Sequence, residues 1–192
     1  MNKIGNIYLV GFMGTGKSSV GRELARRKKW HFLDLDELIE IREKRRISDI
    51  FADKGEAYFR RVEKKALREI SRQKNFVIAC GGGIVMDPEN IRTMKETGTA
   101  VCLKADLDTI LKRTSGFLHR PLLNVEDPRS RIELLLKFRS PYYAKADFSV
   151  ETSRIGVAEV VLRIIKLLSC RQRVKCQPPR KAKPKVTGRK KQ

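Results

Sequence analysis

Several features are missing from this 192-residue sequence, and each absence excludes a class of protein. No apolar run approaches the roughly 20 residues that cross a bilayer, so a membrane protein is not expected. The first residues, Met1 to Gly5, lack the charged, apolar and small-residue zones of a secretory signal, which favours a cytoplasmic protein. The four cysteines, Cys80, Cys102, Cys170 and Cys176, form no CxxC pair, so neither a disulfide framework nor a zinc site is predicted.

Acidic residues are scarce relative to basic ones. The chain has 22 Asp and Glu against 43 Lys and Arg, a net charge of +21. Ten of the basic residues and no acid fall in residues 171–192, a proline-containing segment with almost no large apolar side chains, which predicts a disordered basic tail. Charge alone gives only salt-sensitive, non-specific binding, so no specific nucleic-acid partner is expected. The remainder is still basic, which suits an anionic substrate and nucleotide.

Apolar runs alternate with helical patterns along the chain, which is typical of an α/β domain with a parallel sheet and crossover helices. Residues 36–71 are nearly all helical, with a break at Gly55, and indicate a lobe of helices beside the sheet. Residues 114–124 contain Gly116 and Pro121 between two helical patterns, as expected of a mobile loop. The predicted strands are Asn6 to Val10, His31 to Leu33, Phe76 to Ala79, Ala100 to Leu103 and Phe148 to Val150.

A phosphate-binding loop is the strongest signal in the sequence. GFMGTGKS, Gly11 to Ser18, fits GxxxxGKS directly after a predicted strand and at the start of a predicted helix. Its backbone N–H groups and the helix N-terminus can surround phosphates, while Lys17 neutralises charge and Ser18 ligates Mg²⁺. The alternative is a tight glycine-rich turn without a ligand. The predicted ATP-binding residues here are Gly14, Thr15, Gly16, Lys17, Ser18 and Ser19.

Two carboxylates, Asp34 and Asp36, come at the end of the second predicted strand. Open α/β sheets bind ligands beyond the carboxyl ends of their strands. Residues two apart on an extended segment face the same way, so both side chains can point into one cleft. The alternative is that Asp36 only caps the following helix.

Arginines and a glycine run supply the remaining candidates. Arg60 and Glu63 lie three apart on a helix, and the simplest interpretation is a solvated ion pair. Three consecutive glycines, Gly81 to Gly83, are costly in conformational entropy, which favours close approach of the backbone to a ligand over a simple turn. Arginine binds carboxylates and phosphates bidentately, so three more arginines are candidates for such contacts: Arg113, Arg120 and Arg139.

Read together in chain order, these segments resemble the shikimate kinases, which belong to the nucleoside-monophosphate-kinase-like group of P-loop folds. The resemblance runs from about Ile7 to Leu168. It implies a five-stranded parallel sheet in the order 2-3-1-4-5 flanked by helices, within a kinase domain at residues 1–170. It further implies a substrate-binding lobe at 36–71, a lid at 113–124, and transfer of the γ-phosphoryl group of ATP to the 3-hydroxyl of shikimate.

The resemblance also implies a role for each candidate. Ser18 and Asp34 look like the magnesium residues, and Asp36 looks like the carboxylate that holds and activates the attacked hydroxyl. The catalytic residues would be Lys17, Asp36 and Arg120, and Arg120 would belong to the lid. The shikimate-binding set is Asp36, Arg60, Gly82, Gly83 and Arg139, with Glu63 behind Arg60, and the residues beside adenine are Arg113 and Arg154.

Three alternatives to this interpretation differ in what they predict. Another small-metabolite P-loop kinase, such as one acting on gluconate, shares the phosphate site but has less need of arginines aimed at a carboxylate. A GTPase switch predicts an NKxD motif, which the sequence lacks. A nucleic-acid-binding protein is indicated only by the tail. A monomer is expected, because no long apolar stripe remains after the core is assigned.

Overall fold

The computed structural model describes residues 5–115 and 127–175, with side chains through residue 170. Its strands form one five-stranded sheet in the order β2-β3-β1-β4-β5, and every neighbouring pair is parallel. The strand order expected from the resemblance is thereby confirmed. The strands are β1 (Asn6–Val10), β2 (His31–Asp34), β3 (Phe76–Ala79), β4 (Gly98–Lys104) and β5 (Phe148–Glu151).

Helices connect the strands, as parallel pairing requires. A short 3₁₀ helix, Ile84–Met86, follows β3. The α-helices are α1 (Lys17–Lys28), α2 (Leu35–Glu43), α3 (Ile47–Ser71), α4 (Pro88–Thr97), α5 (Leu107–Thr114), α6 (Pro128–Tyr143) and α7 (Val157–Lys175). No helix in the described part of the chain is long and apolar enough to cross a membrane.

The central strand β1 is buried on both faces of the sheet. Ile7 and Leu9 pack into a core with α1 and α7, whereas Tyr8 and Val10 pack into a second core with the helices of the opposite face. Successive side chains of a strand point to opposite faces, so the four consecutive apolar or aromatic residues from Ile7 to Val10 serve both layers. Each fully buried aliphatic side chain contributes about 1.5–3 kcal/mol of transfer free energy.

Local sequence signals account for several helix ends. The Asp87 carboxylate accepts a hydrogen bond from the Glu89 N–H at 2.8 Å, and Pro88 occupies the first turn of α4. Gly55 interrupts α3 with φ 74° and ψ 171°, which confirms the predicted break. The positive φ there is one that glycine adopts without steric cost.

Two predicted boundaries are wrong by a few residues. β4 begins at Gly98 rather than Ala100, because residues 98 and 99 already pair with β1. The helix α7 continues to Lys175, so residues 171–175 of the predicted disordered tail are helical. Arginine, glutamine and lysine are good helix formers, which explains the extension of a helix that is already packed. The rest of the tail lies outside the described residues.

The carboxyl ends of β1, β2 and β3 lie side by side at one edge of the sheet. The glycine-rich loop follows β1, Asp34 ends β2, and the glycine run follows β3. The topology therefore brings three segments that are far apart in sequence to one place.

Candidate active site

The loop between β1 and α1 has the backbone of a phosphate-binding loop. Gly11, Gly14 and Gly16 have φ values of 138°, 75° and 89°, which glycine tolerates and other residues rarely adopt. The Lys17 ammonium donates hydrogen bonds to the carbonyl oxygens of Gly11 at 3.0 Å and Phe12 at 2.9 Å. The loop therefore holds a cation over its own backbone at the N-terminus of α1, where anions bind favourably.

Ser18 and Asp34 meet beside this loop. The Ser18 hydroxyl donates to Asp34 Oδ2 at 2.7 Å, and Asp34 Oδ1 accepts from the Asp36 N–H at 3.1 Å. Asp34, and not Asp36, is therefore the N-cap of α2, so the capping alternative for Asp36 is wrong. A hydroxyl and a carboxylate oxygen are hard ligands that fit Mg²⁺, which proteins hold through one or two such groups together with phosphate oxygens.

The predicted ion pair between Arg60 and Glu63 is present, but its carboxylate is buried and not solvated. Arg60 Nη1 donates to Glu63 Oε2 at 2.7 Å, and the Glu63 side chain is fully buried. Burial raises the pKa of Glu63 to about 7, against the opposing pull of Arg60. Arg60 also contacts Glu56 Oε1 through Nη2 at 3.0 Å. Two carboxylates thus fix the guanidinium of Arg60 on α3.

The glycine run is required by neighbouring side chains. A Cβ on Gly81 would lie 2.7 Å from Glu63 Oε1 and 2.8 Å from Asp36 Oδ1. A Cβ on Gly83 would lie 2.7 Å from the Arg60 Cζ. At Gly81 and Gly83, the missing Cβ therefore leaves room for the two carboxylates and the Arg60 guanidinium beside the backbone. The sequence predicted close approach by a ligand, whereas here protein side chains make the close approach.

Arg139 approaches the same glycine run from α6. It is buried, and its guanidinium carbon lies 5.8 Å from the centroid of the Phe12 ring. Its Nη1 would be 3.5 Å from a Cβ on Gly82. The Tyr143 hydroxyl, one turn further along α6, donates to the Gly82 carbonyl oxygen at 2.7 Å. Burial raises the pKa of Tyr143 to about 12, so the hydroxyl keeps its proton and remains a donor.

Most of these groups line one cavity of about 630 Å³. It is lined by the phosphate-loop cation, five carboxylates, three arginines and the glycine run. Its lining includes Lys17, Ser18, Asp34, Asp36, Phe59, Arg60, Glu63, Gly81, Gly82, Gly83 and Arg139.

A second cavity, of about 760 Å³, borders the other side of the phosphate loop at the carboxyl ends of β4 and β5. Thr15 and Arg154 are among its lining residues. Arg113 lies close by and donates to the carbonyl oxygens of Gly14 at 3.2 Å and Thr152 at 2.8 Å. Arg113 thus joins α5 to the loop. Arg120 and most of the predicted lid lie outside the described residues.

Two residues at the site were missed from the sequence. Tyr143 contacts the Gly82 carbonyl, and the buried Thr152 hydroxyl lies 3.1 Å from the Thr15 carbonyl oxygen. Thr152 directly follows β5, so the carboxyl-end rule that identified Asp34 could also have found it. No local pattern distinguishes Tyr143 from an ordinary core tyrosine.

The sheet has five parallel strands in the order 2-3-1-4-5, and a glycine-rich phosphate loop follows its first strand. A cavity of metabolite size lies beside this loop. Together these features define a P-loop kinase fold. The family model described as shikimate kinase matches residues 13–169. The chain belongs to the shikimate kinase family.

Individual relatives agree with this assignment. The shikimate kinase of Thermoanaerobacter pseudethanolicus is 43% identical over 161 residues, which cover 84% of this chain and 94% of the relative. The shikimate kinase of Legionella pneumophila strain Corby is 44% identical over 167 residues, which cover 86% of this chain and 95% of the relative. The solved shikimate kinase of Acinetobacter baumannii in complex with shikimate superposes with a TM-score of 0.84 at 37% identity, covering 88% of this chain and 95% of that one.

Proposed function

We propose that this protein transfers the γ-phosphoryl group of ATP to the 3-hydroxyl of shikimate, giving shikimate 3-phosphate and ADP. The observation that carries the proposal is the single cavity in which the phosphate-loop lysine, Asp36, Arg60 and Arg139 all take part. A relative 37% identical to this chain has been solved in complex with shikimate, which supports the same acceptor here.

The charges of the cavity suit a small hydroxylated acid. Arg60 and Arg139 come from different helices and both border the glycine run, so a carboxylate placed there would be held from two directions. Guanidinium groups bind carboxylates in a planar, bidentate way. Asp36 and the backbone of Gly82 and Gly83 would then hold the hydroxyl side of the molecule.

The nucleotide would occupy the phosphate loop and the cavity beyond it. Residues Gly14 to Ser19 would bind the phosphates, with Lys17 offsetting their charge. Arg154 lines the second cavity and Arg113 is fixed beside it, so we assign this cavity to the nucleoside. The role of Arg120 in binding ATP and the transferred phosphoryl rests on the resemblance alone.

Ser18 and Asp34 would hold Mg²⁺, which when bound neutralises charge on the phosphates. In the transfer step the 3-hydroxyl oxygen attacks the γ-phosphorus in line as the bond to the bridging oxygen of ADP breaks. Asp36 would orient that hydroxyl and accept its proton. Because phosphoryl transfer needs little covalent work from the protein, positioning and charge stabilisation supply most of the rate.

A gluconate kinase is the nearest alternative. The gluconokinase of Sinorhizobium meliloti superposes with a TM-score of 0.55 at 16% identity, a likeness of fold alone. A coupled assay of ADP release with shikimate, gluconate or no acceptor separates the two. We expect ADP release to depend on shikimate, and turnover with gluconate alone would refute the proposal.

We further propose that the enzyme acts as a monomer in the cytoplasm. Cys80, Cys102 and Cys170 are free thiols, as is usual in a reducing compartment. The exposed large apolar side chains of the described residues are scattered over three helices. Size-exclusion chromatography with light scattering would test the monomer.

A further inference from the structure

The helix α6 brings two buried polar groups, Arg139 and Tyr143, to the glycine run. A Cβ on Gly82 would lie 3.5 Å from Arg139 Nη1 and 3.7 Å from the Tyr143 hydroxyl oxygen, so both groups converge on this glycine. They border different spaces. Arg139 lines the cavity of about 630 Å³, which we call the acceptor cavity, whereas Tyr143 lines the second cavity, which we call the nucleoside cavity.

The Tyr143 hydroxyl fixes the carbonyl group at the middle of the glycine run, since it donates to the Gly82 carbonyl oxygen at 2.7 Å. The carbonyl oxygens of Gly81 and Gly83 accept hydrogen bonds from N–H groups in the turn that follows. A peptide between two glycines rotates at little steric cost. The orientation of the Gly82–Gly83 peptide therefore depends on the bond that Tyr143 supplies from outside the run.

The bond to the Gly82 carbonyl also fixes the direction of the next N–H. The Gly82–Gly83 peptide is trans, and in a trans peptide the C=O and N–H groups point in opposite directions. The Gly83 N–H therefore points away from Tyr143. Gly83 is buried, and its N–H forms no hydrogen bond with the described residues. A buried backbone donor without a partner is costly, so an oxygen atom of a ligand would stabilise this arrangement.

A guanidinium group borders each residue of this peptide. Arg139 Nη1 lies beside Gly82, and a Cβ on Gly83 would lie 2.7 Å from the Arg60 Cζ. The Nε atom of Arg139 is buried and forms no hydrogen bond with the described part of the chain. The Gly83 N–H thus belongs to the same group of donors as the two arginines to which we assign the acceptor carboxylate.

We propose that Tyr143 is a positioning residue for the acceptor: its hydroxyl holds the Gly82–Gly83 peptide so that the Gly83 N–H donates to an oxygen atom of the acceptor beside the two arginines. The acceptor is shikimate by the function proposed above, on which this role of Tyr143 rests. The hydroxyl acts through the peptide alone, while the ring contributes to the wall of the nucleoside cavity.

The variant Tyr143→Phe tests the proposal, because it removes the hydroxyl and keeps the ring. A lost hydrogen bond that leaves a carbonyl unpaired should raise the Kd for shikimate by about 5- to 30-fold in a calorimetric titration. The Kd for ADP should change by less than ~2-fold, since the ring that lines the nucleoside cavity is retained. In steady-state assays of ADP release, the KM for shikimate should rise by a larger factor than kcat falls.

Tyr8→Phe is the matched control. Tyr8 is buried in the core, and its hydroxyl oxygen lies 2.7 Å from Thr97 Oγ1, so the variant loses a hydrogen bond of the same length. Neither cavity is lined by Tyr8. The Kd values for shikimate and ADP should therefore stay within ~2-fold of wild type in Tyr8→Phe. An equal rise in the shikimate Kd in both variants would trace the effect to lost stability and overturn the proposal.

The Gly83 amide gives a direct readout. In ¹H–¹⁵N spectra its proton should move downfield when shikimate binds to the wild-type protein, and by less in Tyr143→Phe at saturation. An unchanged shikimate Kd in Tyr143→Phe, an equal loss of shikimate and ADP affinity, or a Gly83 amide that does not respond to shikimate would each overturn the role of Tyr143. The proposed function would survive these results if the wild type turns over shikimate, whereas absence of that turnover would refute both.

Discussion

Replacing Gly81 by alanine tests whether the glycine run positions the reacting groups. The new Cβ would lie 2.7 Å from Glu63 Oε1 and 2.8 Å from Asp36 Oδ1, where ordinary contacts begin at 3.4 Å. The two oxygens that the new Cβ would meet are buried, and Glu63 is already bound to Arg60 at 2.7 Å. One or both must therefore move by about 0.6–0.7 Å, away from the position at which we place the acceptor hydroxyl.

Displacements of this size are costly in a positioned site. A shift of about 1 Å in a catalytic group lowers rates by as much as 10²-fold, so we expect kcat/KM for shikimate to fall by about 10- to 100-fold in Gly81→Ala. ATP binding should be nearly unchanged, because the three atoms nearest to the new Cβ belong to Asp36 and Glu63 and not to the phosphate loop.

The assay is steady-state ADP release with varied shikimate, paired with a nucleotide titration. Gly156→Ala is the control, since a Cβ there meets no atom within 4 Å. It should retain wild-type kcat/KM. If Gly81→Ala kept the wild-type kcat/KM, this glycine would not be needed to position Asp36 and Glu63. If ATP binding fell by the same factor as kcat/KM, the variant would instead have disrupted the fold in general.

Three further predictions concern individual groups. Asp36→Asn should lower kcat by about 10²–10⁴-fold while nucleotide titration still shows ATP binding, and unchanged turnover would contradict the role of Asp36 as a base. Arg60→Ala and Arg139→Ala should each raise the KM for shikimate by an amount equivalent to about 2–5 kcal/mol. A fall in kcat with an unchanged KM would contradict their role in binding the shikimate carboxylate. The folded state holds the Glu63 proton more tightly than the unfolded state, since the pKa rises from 4.5 to about 7. The free energy of unfolding should therefore fall as pH rises from about 4.5 to about 7, by on the order of 3 kcal/mol in total, and Glu63 should cause no further change above that range. Urea titrations should show this loss in the wild type and not in Glu63→Gln.

The fold and the phosphate site could largely be predicted because their signals are local. The loop from Gly11 to Ser18 needs only its own residues and the adjoining strand and helix. Asp87 and Gly55 mark helix boundaries in the same local way. The strand order is different, because it followed from the resemblance to a family and not from the pattern of any one segment.

The parts that could not be predicted depend on contacts between distant segments. The Tyr143 hydroxyl contacts a carbonyl oxygen 61 residues earlier in the chain. Gly81 has no Cβ, and this leaves room for one carboxylate from α2 and one from α3. These two carboxylates are brought together only by the folded sheet. The burial of Glu63 likewise arises from tertiary packing, since its spacing from Arg60 is equally typical of a surface ion pair.

The most direct measurement is a crystal structure of the protein with ADP, Mg²⁺ and shikimate. We predict the shikimate carboxylate between Arg60 and Arg139, its 3-hydroxyl within hydrogen-bonding distance of Asp36, and the ADP phosphates on the loop that holds Lys17. Shikimate bound outside the 630 Å³ cavity, or oriented with its carboxylate toward Asp36, would contradict the proposed site.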